Sequence, residues 1–230
     1  MKTNAFKAAF PHTIPVLTGY LVLGISYGVL MTASGFPFWM PMVTSLAVFA
    51  GSMEFVLVNL LLSDFNLLQA FLMTLMINAR HLFYGVSMLD KYRDMGWKKA
   101  YMIFGLTDES FSVNCIADPP AGVDCGWFMF FVTLLDHAYW FTGAALGGIF
   151  GSVVHFNTEG LDFVMTAMFV VIFLEQWKKE SNHISAILGL VLPVACLLIF
   201  GADRFMIPAM AAIFLGLAAV RRPLEQEVSP

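Results

Sequence analysis

TIPVLTGYLVLGISYGVLMTA, residues 13–33, carries no charge along its whole length. As a helix it reaches about 31 Å, the thickness of a bilayer's hydrocarbon core. It is longer than the ~7–15 apolar residues of a cleaved signal peptide, so it reads as a retained span. The rest of the 230-residue chain is built alike: 59% hydrophobic, 12% charged and mean hydropathy +0.78. An ordinary soluble domain is about 25% charged. A soluble fold of this size would still show water about 30% of its surface, too much for this composition. The chain therefore reads as an all-α integral membrane protein. Membrane strands are excluded because the apolar runs are continuous and not alternating.

Outward from 13–33, further spans are expected at 38–62, 66–89, 127–150, 161–175, 184–200 and 205–220. That gives about seven transmembrane helices, with six or eight as alternatives. Gly35-Phe36-Pro37, Ser63–Asn66, Asp90–Lys99, Lys178–Asn182 and Gly201–Arg204 separate them. Ala100–Ala117 does not fit. Asp108 and Glu109 at its middle would each cost about 2.5–3.5 kcal/mol at the bilayer centre, so a re-entrant or broken helix is expected there. Seven crossings leave Lys2, Lys7 and Arg204 on one side. Lys91, Arg93, Lys98, Lys99, Lys178, Lys179, Arg221 and Arg222 fall on the other. That bias puts the C-terminus in the cytoplasm and the N-terminus outside. The net charge of −4, with no basic run, argues against nucleic acid as a partner.

Gly24-Ile-Ser-Tyr-Gly28 recurs as Gly143-Ala-Ala-Leu-Gly147, and Ala47-Val-Phe49 as Ala167-Met-Phe169, in each case well over a hundred positions further along. Small residues are common in any membrane helix, and that explanation stays open. The alternative is an inverted three-helix repeat with discontinuous helices, interrupted at Ala50-Gly51-Ser52 and opening at Gly160-Leu161-Asp162 in the second copy. The repeats would cover about 13–90 and 127–200 of one transmembrane domain over 1–230, with 205–220 as the last helix. Such repeats build many secondary transporters.

Ionisable residues within spans are functional candidates. Glu54 lies mid-span, beside Gly51 and Ser52. Asn78, Arg80 and His81 lie past the middle of the third span. Asp136 and His137 lie well inside the fourth. Arg80 keeps its proton and must find a carboxylate, an anion, carbonyls or water. A direct Glu54–Arg80 pair needs helix tilt or a break at Gly51, because the two sit about 14 and 23 Å from the 63–66 turn. Glu54, His81, Asp136 and His137 are candidates for carrying a coupling proton. Cys115 and Cys125 flank an acidic, Pro-rich loop and could pair in an oxidising compartment, the alternative being two unpaired small residues at helix ends. No metal-ligand set and no nucleotide-binding G-x-x-x-x-G-K-[ST] motif is present, so no cofactor is implied. An intramembrane serine protease using Ser52 with His81 or His137 lacks the expected G-x-S-G pattern.

Phe49-Ala-Gly-Ser-Met-Glu-Phe55, Asn78-Ala-Arg-His-Leu-Phe-Tyr84, Gly105-Leu-Thr-Asp-Glu-Ser-Phe111, Trp140–Gly151 and Gly160-Leu-Asp-Phe163 occur in an order and spacing that resembles the AzlC family. That family is the larger subunit of branched-chain amino acid exporters. The likeness covers most of the chain and is weakest over 181–230. The family usually has glutamine where this sequence has Glu54. The resemblance implies a non-enzymatic permease of the bacterial cytoplasmic membrane. It would export valine, leucine, isoleucine and analogues, with methionine also fitting by size, beside a small hydrophobic AzlD-type subunit and driven by an ion gradient. The rival is a subunit that only scaffolds a membrane complex. For a zwitterion, amides at Gly51-Ser52 and Arg80 would meet the carboxylate. Glu54, Asp108 or Glu109 would meet the ammonium, with Asn78 alongside.

Overall fold

The structure, a computed structural model, describes residues 2–63, 66–117, 119–153, 170, 173–174, 177–178, 183–201, 205, 208–209, 211–217 and 219. It is helical, with no strand among the described residues. The chain forms two compact units, 1–165 and 166–230, each described by itself.

In the first unit α1 (Lys2–Ala33) is the one described helix with both the length and the composition of a membrane span. The other long helix, α8 (Cys125–Val153), has 29 residues, about 43 Å, and turns Asp136 and His137 inward. These two helices pack along each other and run parallel. Lys2 lies over the Trp127 ring at 4.4 Å, Phe6 meets Phe131 at 5.4 Å, and Thr13 bonds Tyr139 at 3.1 Å. Further along, Gly24 faces Gly143, Gly28 faces Gly147 and Thr32 faces Gly151. A Cβ on Gly24 would stand 3.0 Å from backbone atoms of Trp140, Gly143 and Ala144, so the missing side chains are what let the two backbones touch. The glycine pairs expected to mark inverted copies are thus the two faces of one contact. Helices running the same way are not related by inversion, so that expectation is corrected for this pair.

Between them the chain makes two helical hairpins. The first consists of α2 (Met40–Ala47) and α3 (Gly51–Leu62). Phe38 starts beside Gly148 near the C-terminal end of α8, and the Ser45 carbonyl reaches His137. At the bend Phe49 packs on Tyr20, while both arms return to Tyr27: Thr44 by a 2.7 Å hydrogen bond and Phe55 by a 5.5 Å ring contact. Residues 38–62 therefore do not cross as one span. Phe49 at φ 45 and Gly51 at φ 20 reverse the chain.

The second hairpin, α6 (Trp97–Phe104) and α7 (Asp108–Ile116), enters from the opposite end. Trp97 packs on Trp127 and Phe130, Phe104 reaches His137, and Thr107 and Glu109 reach Tyr20. The chain then returns, and Asn114 bonds the Tyr92 hydroxyl at 3.4 Å. Tyr92 is buried in a cluster with Met88, Met102, Phe128 and Met129. Thr107 caps α7 through a reciprocal bond pair with Ser110, which fixes the bend. Residues 97–116 thus form two helices with a break at Gly105–Thr107.

The link between the hairpins is α4 (Leu67–Ile77) and α5 (Arg80–Met88). Its ladder breaks at Asn78-Ala79, where i→i−3 bonds take over, a break not expected from the sequence. α4 packs on α3 around Met53, Val56 and Leu60, and α5 ends at the Tyr92 cluster. Lys98 also lies over Trp127, at 4.7 Å, so Lys2 and Lys98 occupy one end of the unit. The division of Lys and Arg that set these two apart does not hold. Cys115 is a free thiol, so its pairing with Cys125 does not form.

The surface is inverted relative to a soluble domain: Leu68, Phe71, Leu82, Phe83 and Val86 are exposed while Glu54 and Asp136 are buried. In the second unit α9 (Ile184–Phe200) carries Pro193, and His183 stacks on Trp177 at 4.0 Å. The expected Ala167–Phe169 copy, Gly160–Asp162 opening and Ala202–Arg204 turn lie outside the described residues.

Candidate functional site

The two hairpin tips meet. The Phe49 ring stacks on His137 at 4.2 Å and lies 6.5 Å from Phe104, and a Cβ on Gly105 would stand 3.5 Å from that ring. Each second arm begins at its tip, so the N-termini of α3 and α7 both lie at the junction, each with acids in its first turn: Glu54, and Asp108 with Glu109. Helix N-termini carry free N–H groups and partial positive charge, which favour anions.

A cleft of about 460 Å³ runs from these tips toward the Lys99–Tyr92 end. Val48, Phe49, Ala50, Phe104 and Leu106 form its head, with Leu75, Leu82 and Ile103 among its apolar walls. Its polar lining includes Thr74, Asn78 and His81. The volume lies within the range of about 300–1,000 Å³ typical of small-molecule sites.

The expected site residues separate into two groups. Asn78 and His81 line the cleft, whereas Arg80 and Asp108 are not among its lining residues. His81 donates from Nδ1 to the Asn78 carbonyl at 3.1 Å. Arg80 pairs with Asp108 at 3.1 Å, not with Glu54, because the break before α7 turns Asp108 toward α5. Both partners are half-buried, and each keeps one buried polar atom without a partner: Nε of Arg80 and Oδ1 of Asp108.

The second group is buried behind the tips. Glu54 Oε1 accepts from the Ala50 N–H at 3.0 Å and from Trp140 Nε1 at 2.9 Å, while Oε2 has no partner. The Tyr20 hydroxyl donates to Glu109 Oε2 at 2.6 Å and lies 2.9 Å from Thr107 Oγ1. Asp136 is fully buried with neither oxygen bonded. His137 faces the Ser45 carbonyl with Nε2 at 3.1 Å and the Tyr101 hydroxyl with Nδ1 at 2.9 Å. A carbonyl only accepts, so Nε2 carries hydrogen and Nδ1 accepts in the neutral ring. Gly51 lies against Trp140, and Ser52 begins α3. His81 and His137 make their hydrogen bonds elsewhere than to Ser52, so the serine-protease dyad is not formed.

Sequence reasoning passed over Tyr20, Tyr101, Thr107 and Trp140, which hold the acids and His137. A signal existed. Phe49-Ala-Gly-Ser52-Met-Glu54 and Phe104-Gly-Leu-Thr107-Asp-Glu109 share the spacing Phe-x-x-[Ser/Thr]-x-Glu, and both stand at the tips of hairpins that enter from opposite ends.

Residues 15–154, 140 of the 230, match the family described as AzlC protein. A protein of Bacillus subtilis (strain 168), "Branched-chain amino acid transport protein AzlC", is 62% identical over 98% of this chain and 89% of its own length. An "Uncharacterized membrane protein" of Haemophilus influenzae is 48% identical over 93% and 88% of the two chains. "Inner membrane protein YgaZ" of Escherichia coli (strain K12) is 24% identical over 77% and 75%. No solved structure matches. By the extent of the family match and the near full-length identity to the Bacillus protein, this chain belongs to the AzlC family.

Proposed function

We propose that the chain is the transport subunit of a secondary exporter for valine, leucine and isoleucine in the bacterial cytoplasmic membrane. An ion gradient drives it, and a small AzlD-type subunit accompanies it. The name of the Bacillus relative supports the substrate class. The observation that carries the reading is the meeting of two opposed hairpins at the head of one apolar cleft, since discontinuous helices converging at mid-depth are how secondary transporters build their sites.

The Arg80–Asp108 pair suits a zwitterion. The substrate carboxylate supplies the acceptor that Arg80 Nε lacks, and its ammonium supplies the donor that Asp108 Oδ1 lacks. The chain thus recognises an α-amino acid by both charges, with Asn78 and His81 alongside. Leu75, Leu82 and Ile103 take the side chain. One methylene is worth about 1–3 kcal/mol, so methionine passes as well. Gly51, Ser52 and Glu54 shape the tip behind.

Lys2, Lys7, Lys91, Arg93, Lys98 and Lys99 gather at the N-terminal end of α1 and α8, and the 34–39 turn at the other end carries no Lys or Arg. By the positive-inside rule that end is cytoplasmic, and the cleft's lining reaches it at Tyr92 and Lys99. Through Val153 the chain then makes three crossings (α1, α4–α5 and α8) and two re-entrant hairpins. Radiolabelled valine and leucine flux into proteoliposomes, with and without the small subunit, tests the reading. Absence of flux in both preparations, with monodisperse protein, overturns it.

A further inference from the structure

At the end of the first unit where α1, α6 and α8 begin, two ammonium groups share one indole. Lys2 of α1 stands over the Trp127 ring at 4.4 Å and Lys98 of α6 at 4.7 Å, although like charges repel. An indole face attracts a cation without offering a strong acceptor, so the N–H groups of both lysines still call for one. The protein supplies little. Asp124 approaches Lys98 at 3.8 Å, too far for a hydrogen bond, and its Oδ1 already accepts from the Trp127 N–H at 2.7 Å. Asp90 is engaged with Arg93, and no carboxylate pairs with Lys2 among the described residues. Lys98 is held in place nonetheless. Its side chain is 15% exposed, and the missing side chain of Gly126 leaves room for its ammonium, which a Cβ there would meet at 2.9 Å.

Around the two cations the surface is apolar. Phe6, Phe10 and Trp97 are exposed; Phe6 packs on Phe131, and Phe131 and Trp97 pack on Trp127. At 32 residues α1 is about 48 Å long, more than the ~30 Å hydrocarbon core and close to the ~40–45 Å that includes the headgroups. Its first turn therefore lies at headgroup level. Ammoniums without acceptors, beside exposed rings at that depth, match a ligand that is anionic at its head and apolar below it.

We propose that Lys2 and Lys98, seated on Trp127, bind the phosphodiester of an anionic phospholipid of the phosphatidylglycerol type, whose acyl chains cover Phe6, Phe10 and Trp97. The site goes beyond the transport reading and does not depend on it. A phosphodiester gives charge-assisted acceptors to both ammoniums and offsets their repulsion. Lys2, Lys98 and Trp127 come from α1, α6 and α8, so the bound headgroup ties the start of the second hairpin to the two long helices. A zwitterionic headgroup fits less well, because its own ammonium would join two others beside a single carboxylate, Asp124. Free phosphate meets the cations and leaves the rings uncovered.

Lipid binding to delipidated protein in neutral detergent, read by native mass spectrometry and by thermal melting, tests the assignment. Phosphatidylglycerol should bind and raise the melting temperature, while phosphatidylethanolamine with the same acyl chains and inorganic phosphate should do neither. Lys2→Gln and Lys98→Gln should each weaken phosphatidylglycerol binding about fivefold, the loss expected for one cation at the headgroup, and about thirtyfold together. Lys2→Arg and Lys98→Arg should retain it. Lys7→Gln, which removes an exposed charge from the same end, should leave it unchanged. Equal binding of phosphatidylethanolamine, an equal effect of inorganic phosphate, or unchanged affinity in both glutamine variants overturns the proposal. So does a loss in Lys7→Gln as large as in Lys2→Gln, which would mean diffuse attraction to a basic end. Valine flux is not a readout here, so failure of the transport reading leaves the test intact. Lys2 is exposed in the first turn of α1, and Lys2→Gln carries the test if Lys98→Gln fails to fold.

Discussion

Three glycines on α1 give a graded test of how the two long helices are held. A Cβ on Gly28 would lie 2.5 Å from Gly148 N and 2.7 Å from Gly147 C, both backbone atoms of α8. Ordinary contact is about 3.5–4.0 Å, so in Gly28→Ala the helices must part by about 1 Å, forfeiting a quarter to a half of the dispersion energy of each contact nearby. Overpacking of this kind costs about 1–3 kcal/mol. For a chain of this size that is about 2–12 °C in melting temperature, at about 2–4 °C per kcal/mol. At Gly24 the same atom meets backbone at 3.0 Å and needs about half the movement, so Gly24→Ala loses less. Gly19 faces open space, and Gly19→Ala gains up to about 1 kcal/mol of helix propensity. Thermal unfolding in detergent, with gel filtration to confirm monodispersity, should order the variants Gly19→Ala, wild type, Gly24→Ala, Gly28→Ala from most to least stable. If Gly28→Ala melts with the wild type, or Gly19→Ala falls as far, close backbone contact is not what joins α1 to α8.

Single cysteines at Lys2 and Lys99 should react with a membrane-impermeant maleimide from one side of the membrane and a cysteine at Ser34 from the other; labelling of Lys2→Cys and Lys99→Cys from opposite sides would restore a through-span at 38–62. Arg80→Lys keeps the charge but loses the fork, and should raise the valine KM about tenfold, while Asp108→Asn should impair binding comparably; unchanged flux in both removes the pair from the site. Trp140→Phe takes from buried Glu54 its one side-chain donor and should cost about 1–3 kcal/mol in thermal stability, whereas an unchanged melting point would mean the bond contributes nothing. Tyr101→Phe leaves His137 Nδ1 without its donor at a cost of about 1 kcal/mol, read from the same melts.

Much of the site is legible without the fold. The interruption at Gly51, the anomaly of Asp108-Glu109 in an apolar segment and the solitary Arg80 all follow from the cost of polar groups in lipid. Direction is not legible. Hydropathy is blind to whether residues 38–62 pass through or turn back at Phe49, since both leave the same apolar side chains facing lipid. That single ambiguity displaces Lys91–Lys99 from the side of Lys2 and reverses the orientation inferred from charge. The partner of Arg80 is equally hidden, because depth counting assumes straight helices and the breaks at Asn78 and Gly105–Thr107 change both depths. The glycine pairs do mark small contact surfaces, but their recurrence suggests copies where the structure shows two halves of one contact. The more informative recurrence, Phe-x-x-[Ser/Thr]-x-Glu, is short and becomes meaningful only once both copies are seen at hairpin tips.

The cleft also changes how the membrane voltage is distributed. In lipid the potential falls across about 30 Å, but on the transport reading, with the Lys2 end cytoplasmic, a water-filled cleft would bring the conductivity of the cytoplasm up to the tips. The remaining insulation is the stretch of α8 from the level of His137 to that of Gly148, about 16 Å at 1.5 Å per residue. A full crossing is worth about 2.3 kcal/mol per charge at 100 mV, and most of that drop is concentrated over this half-thickness. A charge moving between the tips and the far side would therefore feel nearly the whole membrane potential over a short path. On the transport reading proposed above, the resting voltage then becomes available to drive the cycle.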